Sequence, residues 1–208
     1  MLKRPLFLLS LFALSVMPLS ALAISAAPAI LIFGDSLSAG YGIGIEQSWP
    51  SLLAKRLEHN RPAYTVSNAS ISGETTAGGR ARFDATLARV HPSIVVIALG
   101  ANDGLRGLPV PQMRDNLTTM VQAAKRAKAR VLLIGMKLPP NYGPDYAHQF
   151  DQVFVDISQT EKVPLLPFLL QPLGTTTDAF QPDGLHPTAS AQPKILDHVW
   201  PALQPLIR

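Results

Sequence analysis

The chain has 208 residues, 47% of them apolar and 15% charged, with no cysteine and a formal net charge of +4. That apolar content excludes a disordered chain, and the length suits one domain with a sizeable core. The missing cysteines exclude a cysteine nucleophile, a Cys-ligated zinc, an iron–sulfur cluster and any disulfide.

Much of the apolar excess sits at the N-terminus. Lys3 and Arg4 form a basic start, residues 5–19 are mostly apolar, and Ala21-Leu22-Ala23 offers the small-x-small pattern of a signal peptidase site. The run is short for a stable membrane span. Residues 1–23 are therefore read as a cleaved secretory signal, with an uncleaved anchor as the alternative, and residues 24–208 as the folded domain. Export to the periplasm or the medium, with cleavage near Ala23, is expected. Removing the signal takes away Lys3 and Arg4 and no acid, lowering the net charge to +2. The basic cluster Lys125, Arg126, Lys128 and Arg130 falls at the end of an expected helix, where cations offset the C-terminal dipole. No nucleic-acid partner is expected.

Strands and helices alternate along the rest. Residues 29–33 form a short apolar run closing at Gly34, a buried strand. Ser48 is suited to cap a helix with Pro50 in its first turn and Trp49, Leu52, Leu53 and Leu57 as its stripe. A second strand is expected at 64–66 and a helix at 75–90. Residues 94–99 are the clearest strand, a continuous apolar run of the kind covered on both faces in a parallel sheet. Met113, Leu117, Met120, Val121 and Ala124 recur at helical spacing. Strand 131–134 follows, then a helix marked by Tyr146, Phe150, Val153, Phe154 and Ile157, a short strand at 163–166, and a final helix carrying Ile195, Leu196, Val199 and Leu203. Five strands alternating with helices predict a three-layer α/β/α sandwich with a five-stranded, mainly parallel sheet. The stretches around Pro139-Pro140 and at 174–177 read as loops.

In such a sheet, sites form beyond the C-terminal strand ends. Gly34-Asp35-Ser36-Leu37-Ser38 follows the first strand, Asn68-Ala69-Ser70-Ile71-Ser72-Gly73-Glu74 the second, and Gly100-Ala101-Asn102-Asp103-Gly104 the third. Asp183-Gly184-Leu185-His186-Pro187 precedes the last helix. Acyl transfer needs a nucleophile, a base, an orienter for the base and donors for an oxyanion. Ser36, just after a strand, is placed to expose its hydroxyl. His186 is a base able to take that proton, and Asp183, three residues earlier, is able to fix its tautomer. The Ser36 and Gly73 N–H groups and the Asn102 amide are the candidate oxyanion donors.

Each residue has a structural explanation when taken alone. Ser36 and Asp35 suit a helix cap, Asn102 and Gly73 suit turns, and His186 and Asp183 suit a surface loop. Four loops on one sheet edge that together supply every part of the machinery outweigh those explanations. His59, His148 and His198 fall in expected helices, and His91 falls at the opposite sheet edge. No histidine pair has metal-ligand spacing, and no metal or cofactor is called for. The G-x-S-x-G elbow and the phosphate-binding glycine motifs are absent.

Gly34-Asp35-Ser36-Leu37 resembles the GDSL motif of the SGNH hydrolases, a family named for Ser, Gly, Asn and His in four blocks. Those residues match Ser36, Gly73, Asn102 and His186, in order, and D-x-x-H matches Asp183 to His186. The resemblance is strongest to the bacterial periplasmic members that act on esters, acyl thioesters and lysophospholipids. It implies a flavodoxin-like sheet, a serine hydrolase working through an acyl-enzyme, a mobile loop at 104–109, and a supporting role for Asp35 in shaping the oxyanion hole. Glu74 stands where many relatives carry Asp. The expected partner is a small acyl ester, thioester or lysophospholipid, met by a monomer with at most transient contact with membrane lipid. Little activity on ordinary proteins is expected. An arylesterase or acetyl-sugar esterase is the alternative enzyme, and a non-catalytic lipid- or glycan-binding module the alternative of another class.

Overall fold

The structure, a computed structural model, describes residues 27–58 and 63–207. The expected signal segment and His59 lie outside the described residues. The elements in chain order are β1 (Ala29–Gly34), α1 (Ser36–Ala39), α2 (Trp49–Leu57), β2 (Thr65–Asn68), α3 (Thr76–Val90), β3 (Ile94–Ala98), α4 (Ala101–Leu105), α5 (Val110–Arg126), β4 (Arg130–Ile134), α6 (Pro144–Glu161), β5 (Leu165–Leu166) and α7 (Gln192–Leu203). The five strands form one sheet in the order β2-β1-β3-β4-β5, and every pair is parallel. This is the expected three-layer α/β/α sandwich.

Period-two alternation of the inner strands explains the layers. Ile30, Ile32, Ile94, Val96, Leu132 and Ile134 point to one face, against α2 and α7. Leu31, Phe33, Val95, Ile97, Val131 and Leu133 point to the other, against α3, α5 and α6. Burying each such side chain contributes about 2 kcal/mol, which is why the inner strands read as unbroken apolar runs. The Trp49 N–H donates to Gln192 Oε1 at 3.0 Å and fastens α2 to α7 inside that first layer.

The departures from expectation have local causes. β2 runs two residues further, to Asn68, because Asn68 keeps register with Ile32 even though its residues are too polar to signal a strand. β5 shrinks to Leu165–Leu166, since Pro164 has no N–H to give and the Val163 N–H and carbonyl are both taken by Ser158, at 3.1 and 2.7 Å. Ser48 flanks α2, yet its hydroxyl donates back to the Ile45 carbonyl at 2.6 Å instead of capping the helix. The short helix α4 was not expected at all. Gly100, at φ +120, supplies the turn from β3 into it, a conformation open to glycine alone.

Strand order reverses between β1 and β3, which opens a crevice at their C-terminal ends. Gly34 pairs with Ala98, so the two chains leave the sheet at one level, Asp35-Ser36 beside Gly100-Ala101-Asn102.

Candidate active site

Ser36 is the first residue of α1, with Asp35 as its N-cap. One Asp35 carboxylate oxygen accepts the Leu37 N–H at 3.0 Å, which fixes the tight turn out of β1. His186 comes from a narrow loop whose feet are joined by a bridge between Phe180 and Pro187, by Gln181 N–H to the His186 carbonyl at 2.8 Å and by Thr188 N–H to the Ala179 carbonyl at 2.9 Å. Inside the loop, Asp183 Oδ1 accepts the N–H groups of Leu185 and His186 at 2.9 and 3.0 Å. Its other oxygen is thereby aimed at His186 Nδ1, 2.7 Å away. A carboxylate only accepts, so Nδ1 carries the proton and Nε2 is left to accept the Ser36 hydroxyl at 2.9 Å. The backbone N–H of His186, then that of Leu185, then the imidazole hold the Asp183 carboxyl down at about 2.

Asn102 lies in the first turn of α4. Its amide donates to the Glu74 carbonyl at 3.0 Å and stands 3.4 Å from Asp35 Oδ2. Gly73, at φ +76, is the neighbour of that carbonyl, and its own carbonyl accepts from Arg106 Nη2 at 2.8 Å. The loop carrying Gly73 is pinned to the first strand by Ile71 N–H to the Gly34 carbonyl at 3.0 Å, and to α1 by the Asn68 amide on the Ser38 carbonyl at 2.8 Å. Ser36, Asn102 and His186 all line a cavity of about 440 Å³. Its walls are mostly apolar, with Leu105, Leu138, Phe168, Leu170 and Phe180 prominent, and Lys137 adds a cation. All six predicted positions, Asp35 among them, are thus drawn to one edge, and Asp35, Ser36, Asn102 and His186 line one cavity.

The chain is similar to known proteins over most of its length. Residues 32–192 match the model of the GDSL-like lipase/acylhydrolase family. The chain belongs to that family. The esterase TesA of Pseudomonas aeruginosa is 48% identical over 183 residues, 88% of this chain and 91% of TesA. A TesA crystal structure superposes with a TM-score of 0.83 over 86% of this chain and 99% of that one. The arylesterase of Vibrio mimicus is 42% identical over 177 residues, 85% of this chain and 88% of the relative. The thioesterase 1/protease 1/lysophospholipase L1 of Escherichia coli K12 is 40% identical over 183 residues, 88% of this chain and 86% of the relative. The protein is an ester or thioester hydrolase.

Within this GDSL framework several residues escaped sequence reasoning. Asp103 is buried, and accepts both the Thr76 N–H at 2.8 Å and the Thr76 hydroxyl at 2.5 Å. Thr76 in turn accepts from the Asn116 amide at 3.2 Å, and Arg80 donates to Asn116 Oδ1 at 3.1 Å. This chain of bonds clasps the loop that carries Gly73 to the turn that carries Asn102. The one signal available was Asn116, a polar residue inside the apolar stripe of its helix. Tyr41 was also missed: its ring packs against the His186 imidazole with centroids 4.5 Å apart. Glu74 accepts three hydrogen bonds from Arg82 Nε and Nη2 and leaves its backbone carbonyl to Asn102.

Proposed function

We propose that the protein is an exported serine acylhydrolase that cleaves esters, thioesters and lysophospholipids through an acyl-enzyme on Ser36. The observation that carries this is the relay from Asp183 to His186 to Ser36, at 2.7 and 2.9 Å, opening into an apolar cavity large enough for an acyl chain. In the first step Ser36 Oγ bonds to the acyl carbonyl carbon while its proton passes to His186 Nε2. The carbonyl oxygen becomes an oxyanion, held by the Ser36 and Gly73 N–H groups and by the Asn102 N–H that now leans on Asp35 over the longer distance. As the tetrahedral intermediate collapses, the bond to the leaving alkoxide or thiolate breaks and His186 returns the proton to it. Water then repeats the sequence on the acyl-enzyme, and the acid leaves.

Asp183 holds the imidazolium formed at each transfer. Asp35 is the supporting residue, orienting the Asn102 amide. Residues 1–23 act as a signal that delivers the domain to the periplasm or the medium. Among the described residues no helix is long and apolar enough to cross a membrane.

Hydrolysis of p-nitrophenyl esters from acetyl to palmitoyl, by the parent and by Ser36→Ala, tests this. Activity on medium and long chains that disappears in Ser36→Ala is expected, and turnover retained by Ser36→Ala contradicts the mechanism. An arylesterase is the second reading, favoured by the relative of that name at 42% identity. Activity confined to acetyl esters would select it, or an acetyl-sugar esterase, over the lipolytic one. A non-catalytic binding module would hydrolyse none of the series.

A further inference from the structure

Single exposed apolar side chains are ordinary on a protein surface; their distribution is informative only when it is uneven. Among the described residues the exposed large apolar side chains are Tyr41 (52% exposed), Ile45 (71%), Ile71 (48%) and Leu185 (46%). None lies on an α-helix; Ile45 opens a single 3-10 turn between α1 and α2. Tyr41 and Ile45 belong to the stretch that leaves α1, Ile71 to the loop that leaves β2, and Leu185 to the histidine loop. All four therefore stand on the sheet edge that holds the cavity. Contacts join the Tyr41 stretch to the histidine loop and the Ile71 loop to the end of β1, and Ile45 follows Tyr41 by four residues in the same stretch. Tyr41 stacks on His186, Gln181 Nε2 donates to the Tyr41 carbonyl at 2.7 Å, and Ile71 is bonded to the end of β1 one residue before Asp35. Leu185 lines the cavity itself.

We propose that this rim is a docking surface for a lipid–water interface, and that the enzyme takes its acyl substrate from that interface rather than from free solution. The inference rests on the acylhydrolase reading above. Its occupant follows from continuity: the apolar rim runs into an apolar cavity, so an acyl chain leaving a micelle or membrane for the cavity need not cross water. Charge narrows the kind of surface. Exposed Lys137 and Arg106 share the rim with exposed Glu46, beside Ile45. With these three charges of mixed sign, the rim relies on apolar insertion, and a zwitterionic phosphocholine surface is the one that insertion alone can hold. Apolar burial supplies the hold, because each isoleucine inserted among acyl chains is removed from water.

The test uses Ile45→Asp/Ile71→Asp, since neither side chain touches the reacting groups. In a Ser36→Ala background, flotation with phosphatidylcholine vesicles should fall about tenfold or more in the double variant. In the active background, turnover of lysophosphatidylcholine micelles should fall by about the same factor. Turnover of p-nitrophenyl acetate, which is monomeric in water, should stay within about twofold. Should the double variant lose p-nitrophenyl acetate turnover through misfolding, Ile45→Ser alone, at the most exposed position, gives the same comparison. Parent protein that does not float, or equal flotation by parent and variant, overturns the inference. So does a parent dimer that the substitutions convert to a monomer, which would assign the rim to self-association. Failure on every ester would instead overturn the acylhydrolase reading, which keeps the two separable.

Discussion

Asp35 and Asp183 both lie next to the Ser36–His186 pair, and the fold treats them in opposite ways. Asp183 is exposed on a loop, and three hydrogen bonds to its carboxylate hold the group down at about 2. Asp35 is only 2% exposed, and burial pushes its carboxyl up to about 6 despite the Leu37 N–H and the nearby His186. One acid is built to stay ionised while a proton moves beside it. The other carries its charge at a cost to stability, 3.4 Å from the Asn102 amide. The difference shows how one residue type is divided between two tasks by solvent access and donor count alone.

The largest expected effect comes from breaking the exposed side. Asp183→Asn can still accept the Leu185 and His186 N–H groups, so the loop keeps its shape. Its amide can present an N–H where His186 needs an acceptor, which favours the wrong tautomer. A fall of about 10³- to 10⁴-fold in kcat with little change in Tm is expected from steady-state kinetics and thermal melts. Because Asp183 sits below the ordinary carboxylate range, its contribution to stability is present above about pH 4 and is lost only as pH falls toward about 2. Loss of activity between pH 7 and 5 therefore cannot be traced to Asp183.

The next effect sharpens the buried side. Asp103→Ala leaves the Thr76 N–H and hydroxyl without their acceptor in a buried setting, and should cost about 2–4 kcal/mol in urea unfolding. A loss well below 1 kcal/mol would mean that the clasp between the Gly73 loop and the Asn102 turn is slack. The smallest effect has the opposite sign. Asp35 has a raised folded pKa, so its charge weighs against folding above about pH 6, and the burden lifts as pH falls through 6 toward the ordinary 3.8. Asp35→Asn should thus gain up to about 3 kcal/mol at pH 8, and almost nothing at pH 4. A gain that did not depend on pH would contradict the buried-charge account.

Legibility from sequence followed the same division between exposed and buried. The inner strands were readable because both faces are covered, so Ile94 to Ala98 is apolar throughout. The edge strand β2 was cut short because Ser67 and Asn68 join the sheet through backbone pairing, which leaves no apolar trace. The juxtaposition of Ser36, Asp183 and His186 was readable because each sits in a short polar motif after a strand or before the last helix, and the loops bring them within hydrogen-bond distance. Asp103, Thr76, Asn116 and Arg80 were not, because their value lies in contacts across 27 to 40 positions that only the packed helices create. Tyr41 was not legible either, because its value lies in a ring contact with His186, 145 positions away, that only the folded loops create.

If Ser36 is the nucleophile and His186 activates it, a phosphonate that traps an activated serine reports on both residues. Treatment of the protein with a p-nitrophenyl alkylphosphonate, followed by peptide mass spectrometry, tests this most directly. A single phosphonyl adduct on the peptide containing Ser36, formed in step with loss of activity and absent from His186→Ala, is predicted. An adduct on any other residue, or full inactivation with Ser36 unmodified, would contradict it.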